Sequence, residues 1–263
     1  GGGGGKNPLI IADDADLAKA VDGAVTACFS NSGQLCISVE RIYVHQELAD
    51  EFTARFTAAV RRLRLGSGHE WTVDMGSLIS TGHRAHVASL VDDAVAKGAA
   101  VLTGGRSLPE LGGCFYAPTV LSGVPEDAEL FREETFGPVV AVELVRSNEE
   151  AVRRANDSVY GLNASVWARP ATGRKIASQL EVGTVNINEG FAAAWGSVDA
   201  PMGGWKASGV GRRHADEGLL KYTESRTVAE QRLLPITGPK GMPREKYAAV
   251  LSTALKLGKQ LLR

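Results

Sequence analysis

Residues Phe29-Ser30-Asn31-Ser32-Gly33-Gln34-Leu35-Cys36-Ile37-Ser38 make a polar, glycine-containing turn that runs into apolar sequence. A cysteine at the end of such a turn is accessible. A catalytic thiol needs that access together with thiolate character. Peptide N–H groups at the turn could also stabilise an oxyanion. On residue types alone two readings stand: Cys36 is a nucleophile, or it is a structural cysteine of the kind common beside glycine. Two adjacent acids, Glu133 and Glu134, precede Phe136-Gly137-Pro138. They read either as an exposed functional turn or as solvated residues leading into a strand. Cys28 differs, because it recurs with Leu17, Val21 and Val25 at helical spacing and reads as core. With Cys114 the cysteines number three, an odd and sparse set that argues against a disulfide framework. No Cys-x-x-Cys or His-x-x-x-His spacing offers a zinc site, so no metal is expected.

The elements that must position these groups alternate along the chain. Strands are expected at residues 9–11, 41–45, 100–102, 115–121, 139–144, 164–167 and 184–188. Between them lie helical patterns. Asp13 and Asp14 offer N-caps for the helix that carries Cys28. Leu48, Phe52, Phe56, Val60 and Leu63 mark the inner face of the next helix. Val87, Leu90, Val91, Ala94 and Val95 mark another, ended by Gly98. Ser147 with Glu150 makes a capping box for a helix through Asn156. A further helix is expected around residues 174–180. Such alternation predicts an α/β fold with a largely parallel sheet flanked by helices. Beyond it, residues 222–228 look like an extended arm, residues 235–243 like a Pro/Gly-rich linker, and Tyr247 onward like a basic amphipathic helix that docks on its own protein.

Bulk properties exclude several classes. The 263 residues are 44% hydrophobic and 22% charged, as in a soluble globular protein. A formal net charge of −1 provides no global field for nucleic acid or an anionic membrane. No apolar run spans a bilayer and no signal-peptide pattern opens the chain, so a reducing cytoplasm is the expected compartment. Residues 1–5 are a glycine run of linker character.

The turn around Cys36 has every fixed position of Phe-x-Asn-x-Gly-Gln-x-Cys, and so resembles the active-site signature of the aldehyde dehydrogenase superfamily. Further blocks follow in the family's order. Gly4-Gly5-Lys6-Asn7-Pro8 resembles its Glu-Leu-Gly-Gly-Lys-x-Pro block. Glu133-Glu134-Thr135-Phe136-Gly137-Pro138 resembles its Glu-Glu-x-Phe-Gly-Pro block. Tyr160-Gly161-Leu162, Gly183-Thr184-Val185-Asn186, Met202-Gly203-Gly204 and Ser208-Gly209-Val210-Gly211-Arg212 come next, and Gly218-Leu219 with Tyr222-Thr223 closes the series. The likeness runs from residue 4 to about residue 230. Details such as Ala194-Trp195-Gly196-Ser197 are most similar to bacterial NADP-linked succinate-semialdehyde dehydrogenases.

That resemblance implies the catalytic-domain fold of the family over residues 6–214 and an oligomerisation arm at 215–234; the residue pattern adds a linker and helix at 235–263. It implies NADP or NAD as cofactor, a small-molecule aldehyde as substrate and a homo-oligomer, dimer or tetramer. Cys36 would add to the aldehyde and give a thiohemiacetal, then a thioester. Glu134 would hold the nicotinamide ribose hydroxyls and Phe136 would pack near the nicotinamide ring. Asn31 is read as a buried residue shaping the loop, Arg41 as its anchor from the following strand, and Asn188 and Arg212 as structural, Arg212 in an interface ion pair. His83 and His86 fall near positions where relatives touch the adenosine ribose, and are read as solvated residues at a helix start. Trp195 and Ser197 are candidates for a polar mouth that would receive a carboxylate.

Three departures qualify the resemblance. Relatives carry roughly as many residues again before this point, with the Rossmann-type cofactor domain, and no Gly-x-Gly-x-x-Gly after a strand stands in this sequence. The general-base glutamate of the first block aligns with Gly2, which cannot take a proton from water. The second cysteine that many semialdehyde enzymes carry two residues after the nucleophile is Ser38 here. Residues 1–263 alone are therefore expected not to catalyse the oxidation. The alternatives are a non-catalytic assembly fragment and a cofactor-independent thiol esterase.

Overall fold

The computed structural model describes residues 3–68, 70–232 and 237–261. Gly2, the first linker residue Pro235 and the final residues Leu262 and Arg263 lie outside the described residues. The chain divides into two units, Gly1–Tyr222 and Thr223–Arg263.

Among its described residues the first unit holds nine strands: β1 (Asn7–Ile11), β2 (Val39–His45), β3 (Ala100–Thr103), β4 (Thr119–Ser122), β5 (Val139–Val145), β6 (Tyr160–Gly161), β7 (Asn163–Trp167), β8 (Thr184–Ile187) and β9 (Trp205–Lys206). Its helices are α1 (Leu17–Phe29), α2 (Gln46–Arg61), α3 (Thr81–Ala96), α4 (Glu129–Arg132), α5 (Asn148–Asn156), α6 (Pro170–Ala177), α7 (Ala192–Gly196) and α8 (Ala215–Leu220). Seven strands form one sheet in the order β3-β4-β5-β2-β1-β7-β8. Only the β3–β4 pair is antiparallel. β6 and β9 form a separate antiparallel pair.

A strand buried on both faces needs apolar residues in both alternating sets. β1 meets this: Leu9 and Ile11 face α1 and α2, while Ile10 faces the cluster under α5 and α6. Ile42 and Val44 of β2 share the first face and Tyr43 the second. α3 covers the other end of the sheet, with Val87, Leu90, Val91 and Ala94 against Leu121, Val139 and Ala141.

Several local expectations shift. The N-cap of α1 is Asp16, whose side chain accepts from Lys19 N. Asp14 instead accepts from Arg169 N and Thr172 Oγ1 at the start of α6, and Asp13 accepts from Asn148 Nδ2 at the start of α5. α3 starts at Thr81, because Ser80 Oγ caps His83 N. α6 starts at Pro170, which supplies the fixed φ favoured at a first helical position. Only Thr119–Ser122 of the expected 115–121 strand joins the sheet, since Pro118 offers no N–H for a ladder and Tyr116 pairs with Ser107. Ser147 caps α5 as expected, accepting from Glu150 N. Cys28 is buried in α1.

In the second unit, α9 (Arg244–Leu261) is the expected terminal helix. Residues 224–232 are exposed and carry no regular secondary structure.

Candidate active site

Three segments meet where the chain enters β1, β2 and β5: Gly4-Gly5, the turn ending at Cys36, and residues 133–138. The site therefore lies at the amino ends of parallel strands, opposite the carboxyl-end crevice that open α/β sheets commonly use.

The turn after α1 is a short 3₁₀ segment, Ser30–Gly33, with left-handed backbone at Asn31 (φ 51°) and Ser32 (φ 57°). Asn31 tolerates that region because its side chain bonds locally, here to Gln34 O at 3.2 Å. It is exposed, not buried as expected, and shapes the loop from outside. Gln34 ties the turn to the next segment: its Nε2 donates to Ser77 O at 3.2 Å and its Oε1 accepts from Ile79 N at 2.9 Å. Ser32 Oγ donates to Gly76 O at 2.9 Å.

Cys36 is half-buried. Its peptide N–H has no acceptor among the described residues, so it remains available to an oxyanion. Its carbonyl is fixed by Asn7 Nδ2 at 2.9 Å, and the same amide donates to Ser38 O at 2.7 Å. Asn7 Oδ1 accepts from Asn163 N at 3.1 Å. Asn163 Nδ2 reaches Ile37 O at 3.4 Å and Gly190 O at 3.2 Å. Asn186 Nδ2 donates to Asn163 Oδ1 at 2.9 Å, and Asn186 Oδ1 accepts from Ala194 N at 3.0 Å. Three buried amide side chains thus floor the Cys36 loop. Residue patterning missed this role. Its trace in the sequence is an asparagine at the first position of β1 and of β7 and one inside β8.

The 133–138 segment is held from two sides. Glu40 on β2 accepts from Thr135 N and Phe136 N, each at 3.0 Å, and meets Lys6 Nζ at 2.6 Å. Lys6 also donates to Thr135 Oγ1 at 3.2 Å. From the other side, His83 Nε2 lies 2.7 Å from Phe136 O. His83 is thus a tether, not the purely solvated residue expected; His86 is exposed. Phe136 adopts φ 50° between these anchors. Glu134 Oε1 accepts from Gly5 N at 2.8 Å. Partial burial pushes its carboxyl above the usual range, against the pull of the Gly5 N–H.

Arg41 does not anchor the cysteine loop. Its Nε donates to Lys6 O at 2.8 Å, and its remaining nitrogens cap the end of α5 through Arg154 O and Ala155 O. Asn188 is structural as expected: its amide exchanges two bonds with the Ala168 backbone, at 3.1 and 3.0 Å. Arg212 donates to Gly204 O and Gly211 O, both at 3.0 Å.

The turn that ends at Cys36 and the segment that carries Glu134 and Phe136 pack together where Gly33 meets the Gly137 carbonyl. A groove of about 680 Å³ opens beside Phe136, lined also by Gln34, Ser77, Ile79 and His83. Gly5 N engages one Glu134 carboxylate oxygen, and Phe136 lines the groove. No group of His, Cys, Asp and Glu among the described residues could hold a metal ion.

The order of these segments decides the family, because a profile described as the aldehyde dehydrogenase family matches residues 2–228. The chain belongs to the aldehyde dehydrogenase family. It is 52% identical, over 97% of its length, to a Mycobacterium tuberculosis protein provisionally named succinate-semialdehyde dehydrogenase (NADP+) 2. It is 57% identical over 91% to the Mycolicibacterium smegmatis protein provisionally named succinate-semialdehyde dehydrogenase (NADP+). The match covers 50% and 46% of those proteins, so the chain spans about half the length of the curated relatives it matches. A betaine aldehyde dehydrogenase from Staphylococcus aureus, solved in complex with NAD+, superposes with a TM-score of 0.79 at 39% identity. That superposition covers 83% of this chain and 44% of the other. No helix among the described residues is long and apolar enough to cross a membrane.

Proposed function

We propose that this aldehyde dehydrogenase chain supplies the nucleophile and the nicotinamide wall for NAD(P)-dependent oxidation of succinate semialdehyde to its carboxylic acid. One observation carries the reading: the half-buried Cys36 has a free peptide N–H, and its turn packs through Gly33 against the Gly137 carbonyl of the segment that carries Glu134 and Phe136. The names of the mycobacterial relatives support the substrate, and the NAD+ complex of the staphylococcal neighbour supports a nicotinamide cofactor.

In this reading the Cys36 thiolate forms a C–S bond to the aldehyde carbon. The oxyanion of the resulting thiohemiacetal accepts from the Cys36 N–H, which the Asn7 clamp on the Cys36 carbonyl keeps in place. A bound nicotinamide supplies the hydride acceptor. Glu134 orients the ribose, and Phe136 excludes water from one face. Loss of the aldehyde hydrogen as hydride leaves a thioester on Cys36. Water then replaces sulfur at the acyl carbon, and the thiol is restored. Glycine at position 2 has no group to activate that water, so hydrolysis is the slow step. Residues 215–234 are read as the arm of a homo-oligomer, consistent with the exposure of residues 224–232.

The test follows NADP reduction at fixed succinate semialdehyde. It compares residues 1–263 alone, the same chain with the cofactor domain of the smegmatis relative added, and Cys36→Ser in both settings. Reduction that needs both the added domain and Cys36 is expected. Equal reduction by Cys36→Ser would remove Cys36 from the mechanism. Cys36-dependent reduction by residues 1–263 alone would overturn the dependence on a separate cofactor domain.

A further inference from the structure

Cys36 packs with Leu35 and Phe191 against a small apolar cluster of Ile37, Leu162 and Met202. Arg213 stands on the outer side of this cluster. Met202 and Arg213 exchange both backbone hydrogen bonds, each 2.8 Å long. The arginine side chain then folds back over its partner, so that Nη2 lies 3.6 Å from Met202 Sδ. Its guanidinium stacks 4.5 Å from the centre of the half-exposed Trp195 ring. Trp195 follows Phe191 by one helical turn.

A thioether is a weak acceptor and an aromatic face is none in the plane of the fork. Arg213 is exposed and forms no ion pair among the described residues. Its neighbour Arg212 is different, with Nη1 committed to two backbone carbonyls. Ser197, the hydroxyl expected at the mouth, donates its proton to Ala193 O at 2.6 Å and has none left for a carboxylate. Arg213 is therefore a pre-oriented cation with an open fork beside the apolar wall of the thiol.

We propose that Arg213 sets substrate specificity by receiving the distal carboxylate of a short ω-carboxylated aldehyde while the carbonyl carbon faces Cys36. The inference rests on Cys36 being the nucleophile and assigns the substrate's second anchor. The guanidinium fork matches a carboxylate in bidentate fashion. Trp195 restricts the arginine's rotamers, which lowers the entropy lost on binding. The fork touches Met202, a member of the same cluster that Cys36 packs against, so one side chain links the cation to the thiol's surroundings.

Alkylation of the chain tests this without any hydride transfer. 4-Iodobutyrate and 4-iodobutyramide place a carboxylate or a neutral amide as far from the electrophilic carbon as in succinate semialdehyde. Iodoacetamide reports intrinsic thiol reactivity, and N-acetylcysteine gives the reference ratio. Mass spectrometry of the Cys36 peptide gives each rate. Relative to the reference, the folded chain should favour the anion over the amide by roughly fivefold. Arg213→Gln should abolish that preference, Arg213→Lys should keep part of it, and Arg213→Glu should reverse it. Iodoacetamide rates should match across the variants. A wild-type preference of one, or an unchanged preference in Arg213→Gln, overturns the proposal. If Cys36 resists all three reagents, the nucleophile reading itself falls, and this proposal with it. Alkylation without anion preference sinks the proposal alone.

Discussion

Glu40 is the residue that holds the segment carrying Glu134 and Phe136 in place. It lies in the fully buried strand Val39–His45, 3% exposed, and its carboxylate faces the Lys6 ammonium, 2% exposed. Burial pushes the Lys6 amine below its ordinary value, and the Glu40 carboxylate opposes that shift. The carboxylate also collects the two N–H groups that enter Phe136. Glu40→Leu would strand a buried ammonium and two amides, so a loss of about 3–5 kcal/mol is expected by urea unfolding. Lys6→Met combined with Glu40→Leu should regain a large part, because no charge then stays unpaired. Equal losses in the single and double variants would mean that packing, and not charge, dominates. Little of this was legible beforehand. A glutamate in an alternating strand reads as a solvent-facing residue, and a partner thirty-four positions away cannot be identified without the β1–β2 pairing that puts Lys6 beside it.

At the scale of elements, the two site loops touch through backbone. Gly33 has φ 70°, and a Cβ there would overlap the Gly137 carbonyl. Gly33→Ala therefore meets both an unfavourable backbone region and a steric clash, with an expected cost of about 1–3 kcal/mol. The Cys36 iodoacetamide rate should change in the same variant, whereas a change in stability without one would show that the loops respond independently. The elements themselves were mostly legible, because period and turn residues are local signals. Six of the expected strands entered the sheet nearly as placed. The 115–121 run did not, since its first part satisfies its backbone in a loop that only the tertiary fold supplies. Helix starts moved for a similar reason: Asp13 and Asp14 have the chemistry of caps, and the folded chain gives them to α5 and α6. Cys36, Glu134 and Phe136 were named as candidates through their motif. The Asn7, Asn163 and Asn186 floor was not, because each residue alone looks like an ordinary polar interruption.

Across the whole molecule, the first unit ends at Tyr222, and residues 223–232 are exposed. Brief trypsin treatment should cut at Arg226 and Arg232 first and leave a fragment near residues 1–222. That fragment should keep its thermal transition and the alkylation rate of Cys36. Early cleavage inside α2 or α5, or loss of Cys36 reactivity with the tail, would show that the first unit needs the second.

The placement of the thiol at the amino ends of the strands has a further consequence. The far-rim loops at Asp13, Arg146 and Arg169 serve helix starts, whereas the loop after β8 brings Gly190 and Phe191 back to the surroundings of Cys36. Among the described residues, those three loops make no contact with the thiol's cluster. Length added to them leaves the packing around Cys36 unchanged, so they are where peptides can be grafted without retuning the chemistry.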